Sequence, residues 1–376
     1  MRVEPPVPAD VLAAIRAPLQ SAGAILADAP LLQPLNLLLD LAGEAMRSRL
    51  FVVQAEGVSE LCLRPDFTVA IARQHLESGG KQTRYCYQGA AFRASAGTDR
   101  PEEFVQIGLE ALSDADAEPG TRDAEITVLA WRAAAAGGRS DLSLRLGDVA
   151  LFAAFIDALG LATALAARLK RVAGRPRLLQ AELTRTDTAS TPVGSALTGL
   201  LKGLSEDQAG VLLEEVWALA GVEPVGGRGP AEIAARLVRK AEAAAAPALT
   251  PDQGAAIRAF MAIDDAPDAA LSAIRTLAGG PDRGLQAALE TWRSRLGVLA
   301  RSLPADRMRF APALGHAFDY YDGLVFEVLS GELGADRPVA VGGRYDGLLT
   351  RLGGAAASRA VGCMVRPWRA WTGGEA

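Results

Sequence analysis

Leu63-Arg64-Pro65-Asp66-Phe67-Thr68 places a carboxylate and a hydroxyl where a run of strand formers gives way to a helical run from Val69 to Leu76. At such a junction Asp66 and Thr68 can face a cavity, and they can equally cap the helix by accepting its free N–H groups. A second group lies in Tyr87-Gln88-Gly89-Ala90-Ala91-Phe92-Arg93 and Phe104-Val105-Gln106-Ile107-Gly108-Leu109-Glu110, two strand-like runs joined by a polar loop. Gln106 and Glu110 are an even number of residues apart, so a strand projects both from one face, into a wet cavity or into solvent. Arg93 leaves the first of these strands. The third group is His316-Ala317-Phe318-Asp319-Tyr320-Tyr321-Asp322, which holds two of the chain's five tyrosines. A phenol offers a flat apolar wall and one donor–acceptor tip, suited to orient a small polar ring or to pack in a core with its hydroxyl satisfied. The fourth is Val341-Gly342-Gly343-Arg344-Tyr345-Asp346-Gly347. Paired glycines after a strand let backbone approach a ligand or make a plain turn, and the spacing matches neither the dinucleotide-binding nor the P-loop pattern.

The elements around these groups fall into blocks. Val11, Leu12, Ile15, Leu19 and Ile25 recur at helical spacing, with Asp10 expected as the N-cap, and Leu35 to Met46 resumes an apolar pattern that buries Leu38, Leu39 and Leu41. Short strand-like runs follow at 50–53, 60–63 and 83–87. From 161 to 280 the sequence is Ala- and Leu-rich with helical periodicity at 163–172, 209–219, 231–243 and 253–262, broken by Gly and Pro. A helix near 285–299 precedes a return to strand texture at 307–314, 324–329 and 339–341. Helices and strands in separate blocks predict α+β, with a core in two parts, 1–160 and 281–376, around a helical insert at 161–280.

Composition excludes several classes. The chain has 376 residues, enough for two or three packed units, and is 50% hydrophobic and 22% charged, the balance of a globular protein. Acidic residues outnumber basic ones by 44 to 39 for a net charge of -5, so no global positive field draws nucleic acid. Cys62, Cys86 and Cys363 are far apart and the two histidines are isolated, which disfavours a disulfide framework and a metal site. Without a secretory signal or a long apolar run, a cytoplasmic chain with no membrane association is expected.

In this order the four groups resemble the catalytic core of histidyl-tRNA synthetases, a class II aminoacyl-tRNA synthetase fold with an antiparallel sheet flanked by helices. The region around Pro34 resembles the first motif, a dimer-forming helix and strand; Phe92-Arg93 through Glu110 resembles the second; Gly362 through Arg369 takes the place of the third. Asp319-Tyr320-Tyr321 and Gly342-Gly343-Arg344-Tyr345-Asp346-Gly347 resemble the two histidine-specific signatures. The likeness covers about 10–160 and 281–372.

The departures steer the function. Where the synthetases carry a catalytic Arg in Arg-Gly-Leu-Asp-Tyr-Tyr this chain has His316, which is mostly neutral at pH 7 and has no guanidinium fork for the ATP α-phosphate. The third motif has become Gly362-Cys363-Met364-Val365-Arg366-Pro367-Trp368-Arg369, and Pro367 and Trp368 are expected to block the floor of an ATP site. No anticodon-binding domain is expected after Ala376. Histidine-pocket residues without activation chemistry match the regulatory subunits of ATP phosphoribosyltransferase, and the chain resembles that family. The resemblance implies a non-catalytic subunit with no cofactor that binds L-histidine, forms a self-dimer, and controls a separate short-form catalytic subunit in a hetero-octamer without recognising tRNA. It further implies that Asp66, Gln106 and Glu110 hold the ammonium of histidine, that Thr68 adds a hydroxyl, that Arg93 meets the carboxylate, and that Tyr320, Tyr321 and Tyr345 line the imidazole end. Asp66 stands where the synthetases have the longer Glu. The alternative is a synthetase-like enzyme with residual or altered aminoacyl-transfer activity.

Overall fold

The computed structural model describes the chain apart from residues 1, 55, 58, 81, 96–99, 114–119, 173–175, 185–203, 221–233, 235–237, 239–248, 315–319, 356 and 375–376. His316 and Asp319, and most of the helix expected at 231–243, lie outside the described residues. Eleven strands and thirteen α-helices are described, an α+β composition.

The main sheet has eight strands in the order β1-β5-β6-β11-β10-β9-β7-β8. These are β1 (Ile25–Leu26), β5 (Arg84–Phe92), β6 (Glu103–Ser113), β7 (Leu142–Asp148), β8 (Met308–Phe310), β9 (Leu324–Ser330), β10 (Ala340–Arg344) and β11 (Arg359–Val365). The six central strands are antiparallel, as expected, but β1 runs parallel to β5 and β8 parallel to β7, so the sheet is mixed at both edges. A small antiparallel sheet pairs β2 (Leu32–Pro34) and β3 (Val52–Val53) with β4 (Leu61–Leu63).

Pairing register decides what each face carries. Tyr85, Tyr87 and Gly89 on β5 stand opposite Glu110, Gly108 and Gln106 on β6. Glu110 stands opposite Gly362 on β11, and Gly362 opposite Gly343 on β10. Directly paired residues share a face, so these polar and glycine positions line one side of the sheet. The alternate residues Ile107 and Leu109 are fully buried on the other side, where α1 (Ala9–Gln20) and α4 (Thr121–Ala135) pack. Pro8, not Asp10, occupies the N-cap of α1, and Asp10 lies in its first turn. The fixed φ of proline suits a helix start, and an acidic side chain inside the first turn still faces the positive end of the helix dipole.

By compactness the chain divides into one unit of 1–155 with 259–376 and a second of 156–258. The stretch from 259 to 280 counts with the sheet, although its sequence texture is that of the insert. Phe260 stacks on Phe155 with ring centroids 4.5 Å apart, and Asp264 pairs with Arg145 of β7 at 2.7 Å. The second unit contains the helices Thr163–Arg171, Pro176–Leu183 and Glu206–Ala220. Its own small core joins Ala209, Leu213, Ala234 and Val238, with Leu204 and Trp217 packed against it.

Candidate functional site

On the glycine-bearing face of the main sheet lies a cavity of about 660 Å³. All eight residues singled out in the sequence, Asp66, Thr68, Arg93, Gln106, Glu110, Tyr320, Tyr321 and Tyr345, line it. They come from the loop before α3 (Thr68–Glu77) and its first residue, the residue after β5, β6, the segment before β9, and the residue after β10.

Glu110 lies at the centre and is 1% exposed. Thr68 Oγ1 donates to its Oε1 at 2.7 Å, and the Tyr345 hydroxyl donates to its Oε2. Burial raises its carboxyl to about 8; the hydroxyls of Tyr345 and Thr68 oppose that rise, and the nearby carboxylate of Asp66 adds to it. Two buried carboxyls that accept hydroxyl donors make a place that gains from an added positive charge.

Thr68 thus reaches a side chain on another strand, and the cap residue of α3 is Phe67, which makes no side-chain cap bond. Asp66 also joins distant chain: the Tyr320 hydroxyl donates to its Oδ2 at 3.2 Å. Burial raises its pKa, while Arg93, the Tyr320 hydroxyl and the backbone N–H groups of Val69 and Thr68 pull it down. Arg93 is held by the donation of its Nε to the Pro65 carbonyl at 2.9 Å. Burial lowers its pKa, and the carboxylate of Asp66 restores part of it.

The three predicted tyrosines form a triangle, with ring centroids 4.8 Å apart for Tyr320 and Tyr321, 5.8 Å for Tyr320 and Tyr345, and 6.3 Å for Tyr321 and Tyr345. Burial first, and then Asp66 for Tyr320 and Glu110 for Tyr321 and Tyr345, push their hydroxyls upward, so at neutral pH they are protonated donors. Gln106 is fully buried and neither amide atom has a hydrogen-bond partner in the structure. An unsatisfied buried amide is costly and is rare without a functional reason.

Close packing explains residues that the sequence did not flag as site residues. A Cβ at Gly362 would fall 1.7 Å from Glu110 Oε2, and one at Gly108 would fall 2.2 Å from the Tyr87 ring. Only glycine leaves room for these side chains to cross the sheet. Tyr87 stacks on Phe67 at 4.4 Å, and Glu327 and Arg366 also line the cavity. Tyr87 opens the second group of the sequence, where a run of strand formers was its signal.

One expectation is corrected. Trp368 is not among the cavity-lining residues; it lies edge to face with Trp371 at 5.7 Å, while Arg366 and Arg369 border the cavity. Pro367 starts a short helix, Pro367–Ala370, that carries Trp368. Among the described residues no group of three or more His, Cys, Asp and Glu side chains could hold a metal ion, and no helix is long and apolar enough to cross a membrane.

A family model described as histidyl-tRNA synthetase matches residues 9–227 and 230–367. An ATP phosphoribosyltransferase regulatory subunit of Mesorhizobium japonicum is 38% identical over 346 residues, 89% of each chain. One from Brucella anthropi is 34% identical over 351 residues, 91% of each chain. Among solved structures, an ATP phosphoribosyltransferase regulatory subunit/histidyl-tRNA synthetase from Bacillus halodurans superposes with a TM-score of 0.65 at 22% identity, covering 95% of this chain and 76% of that one. A histidyl-tRNA synthetase from Nostoc sp. does so with a TM-score of 0.61 at 16% identity, covering 96% and 69%. These two likenesses show the fold, a class II synthetase-like core, and the curated relatives show the branch. The chain belongs to the family of ATP phosphoribosyltransferase regulatory subunits, built on the histidyl-tRNA synthetase-like fold.

Proposed function

We propose that the chain is a non-catalytic subunit that binds L-histidine in this cavity and thereby controls a separate short-form ATP phosphoribosyltransferase in a hetero-octamer. Glu110 carries the reading: this buried carboxyl, raised to about 8, accepts the hydroxyls of Thr68 and Tyr345, and an arriving ammonium group would ionise it and supply the counter-charge. Asp66 and the unpartnered Gln106 amide stand ready for the same group, Arg93 for a carboxylate, and the tyrosine triangle for a planar ring. Allosteric control needs two sites and a coupling of about 1–3 kcal/mol, and by linkage the partner's ligands shift histidine affinity by the same factor. The test is co-purification with the short-form catalytic subunit, followed by turnover measured with and without histidine. Unchanged turnover at saturating histidine would overturn the regulatory role.

Exposed apolar side chains at the sheet edges, Ile25 and Leu26 on β1, Leu32 on β2 and Val52 on β3, support self-dimerisation through this region. A monomeric mass by light scattering at micromolar concentration would remove that part. The second reading, residual aminoacyl-transfer chemistry, is favoured by Arg366 and Arg369 bordering a cavity that Trp368 leaves open. Histidine-dependent pyrophosphate exchange separates the two readings, and the regulatory one expects none.

A further inference from the structure

The aromatic wall of the cavity is assembled from two separate segments. Tyr320 and Tyr321 precede β9, and Tyr345 follows β10. Tyr345 is anchored to the sheet, since its N–H donates to the Ala360 carbonyl of β11 at 2.8 Å and its hydroxyl to Glu110. Its neighbour Arg344 donates to Asp123 of α4 through Nε at 2.8 Å and to Asp346 through Nη1 at 3.0 Å.

Asp322, directly after Tyr321, bonds to both sides of Tyr345. Its N–H donates to the Arg344 carbonyl at 3.0 Å. Its carboxylate accepts the N–H of Asp346 at 3.1 Å and that of Gly347 at 2.6 Å. Two glycines make the approach possible: a Cβ at Gly347 would fall 2.9 Å from Asp322 Oδ2, and one at Gly343 would fall 2.7 Å from the Tyr321 ring. The bonds therefore tie the Tyr320–Tyr321 segment to the one element that the sheet and α4 already hold.

We propose that Asp322 is a positioning residue that locks the two tyrosine-bearing segments together and so fixes the wall against which the ring of a bound histidine packs. The proposal rests on the reading of the cavity as a histidine pocket. It sets Asp322 apart from a mere cap of the short helix Asp346–Arg351, because a cap would leave Tyr320 and Tyr321 where they are.

Histidine titration by calorimetry and amide exchange by mass spectrometry, on the full chain and on Asp322→Ala and Asp322→Asn, test it. Loss of two accepted N–H bonds in Asp322→Ala should weaken histidine binding about tenfold. Exchange should quicken both in peptides containing 320–323 and in those containing 344–348. Asp322→Asn keeps one acceptor oxygen and should recover affinity to within about threefold of the unaltered chain. Quickened exchange confined to 344–348, with histidine affinity within about twofold, would overturn the proposal and leave Asp322 as a helix cap. If the unaltered chain does not bind histidine, the pocket reading falls, and exchange in the two segments alone decides whether Asp322 joins them.

Discussion

Asp123 on one side of the main sheet and Glu110 on the other are both shut away from water, at 0% and 1% exposure, but their partners differ. Asp123 of α4 lies between two guanidinium groups, Arg344 at 2.6 Å and Arg295 at 2.7 Å. Arg295 also reaches Asp148 at 3.1 Å, and the indole N–H of Trp292 donates to the same Asp148 oxygen at 2.7 Å. Glu110 receives hydroxyls from Thr68 and Tyr345. One side closes its charges with permanent counter-charges, as a structural network does. The other holds a carboxyl whose electrostatic balance an external cation would complete.

The sharpest way to break this contrast is to remove a cation from the closed side. Arg295→Met leaves Asp123 and Asp148 underpaired and should cost about 3–5 kcal/mol of stability in a urea titration. Glu110→Gln should leave the midpoint nearly unchanged or raise it, and equal losses in the two variants would erase the distinction. Next in size, Glu110→Ala should weaken histidine binding by about 2–5 kcal/mol and relieve inhibition of the holoenzyme, while assembly and uninhibited turnover persist. Retained inhibition would place the effector elsewhere. Gly362→Ala should cost about 1–3 kcal/mol of stability by driving a methyl group into Glu110, and should abolish histidine binding with it.

A slope with pH is the remaining difference between the two sides. Burial raises the Glu110 carboxyl to about 8 from an ordinary 4.5. Between those values the folded chain keeps a proton that the unfolded chain has released, so stability falls as pH rises through that window. Each unit of pKa difference corresponds to about 1.4 kcal/mol. Asp66 and Asp148 are raised by burial as well, so the informative quantity is the difference between the unaltered chain and Glu110→Gln across the window. Identical slopes would mean that Glu110 is charged throughout.

Much of the open side was legible in the sequence because it rests on local parity and on motif order. Gln106 and Glu110 share a face by counting alone, and the adjacent tyrosines announced a concentration of phenols. Asp66 and Thr68 stayed ambiguous between cap and cavity, because the Tyr320 hydroxyl that engages Asp66 lies 254 residues away. Gly362 was marked only as the start of the third-motif resemblance, since its steric constraint exists only once β11 pairs with β6 and sets it opposite Glu110. The closed side was invisible for the same reason: Asp123, Asp148, Arg295 and Arg344 come from four elements, and no spacing relates them. Trp368 misled because its bulk suggested obstruction, whereas its ring contact is with Trp371, outside the lining of the cavity.

The five tyrosines of the chain, Tyr85, Tyr87, Tyr320, Tyr321 and Tyr345, all belong to a single apolar cluster beside the cavity, and none of the five tryptophans lines that cavity. The two chromophores therefore report on different places. The tyrosine part of a near-ultraviolet difference spectrum is an optical readout of this cluster and of the cavity that four of the five line, with no label attached. Tryptophan emission follows the remainder of the molecule, so one cuvette can separate occupation of the cavity from what the rest of the chain does in response.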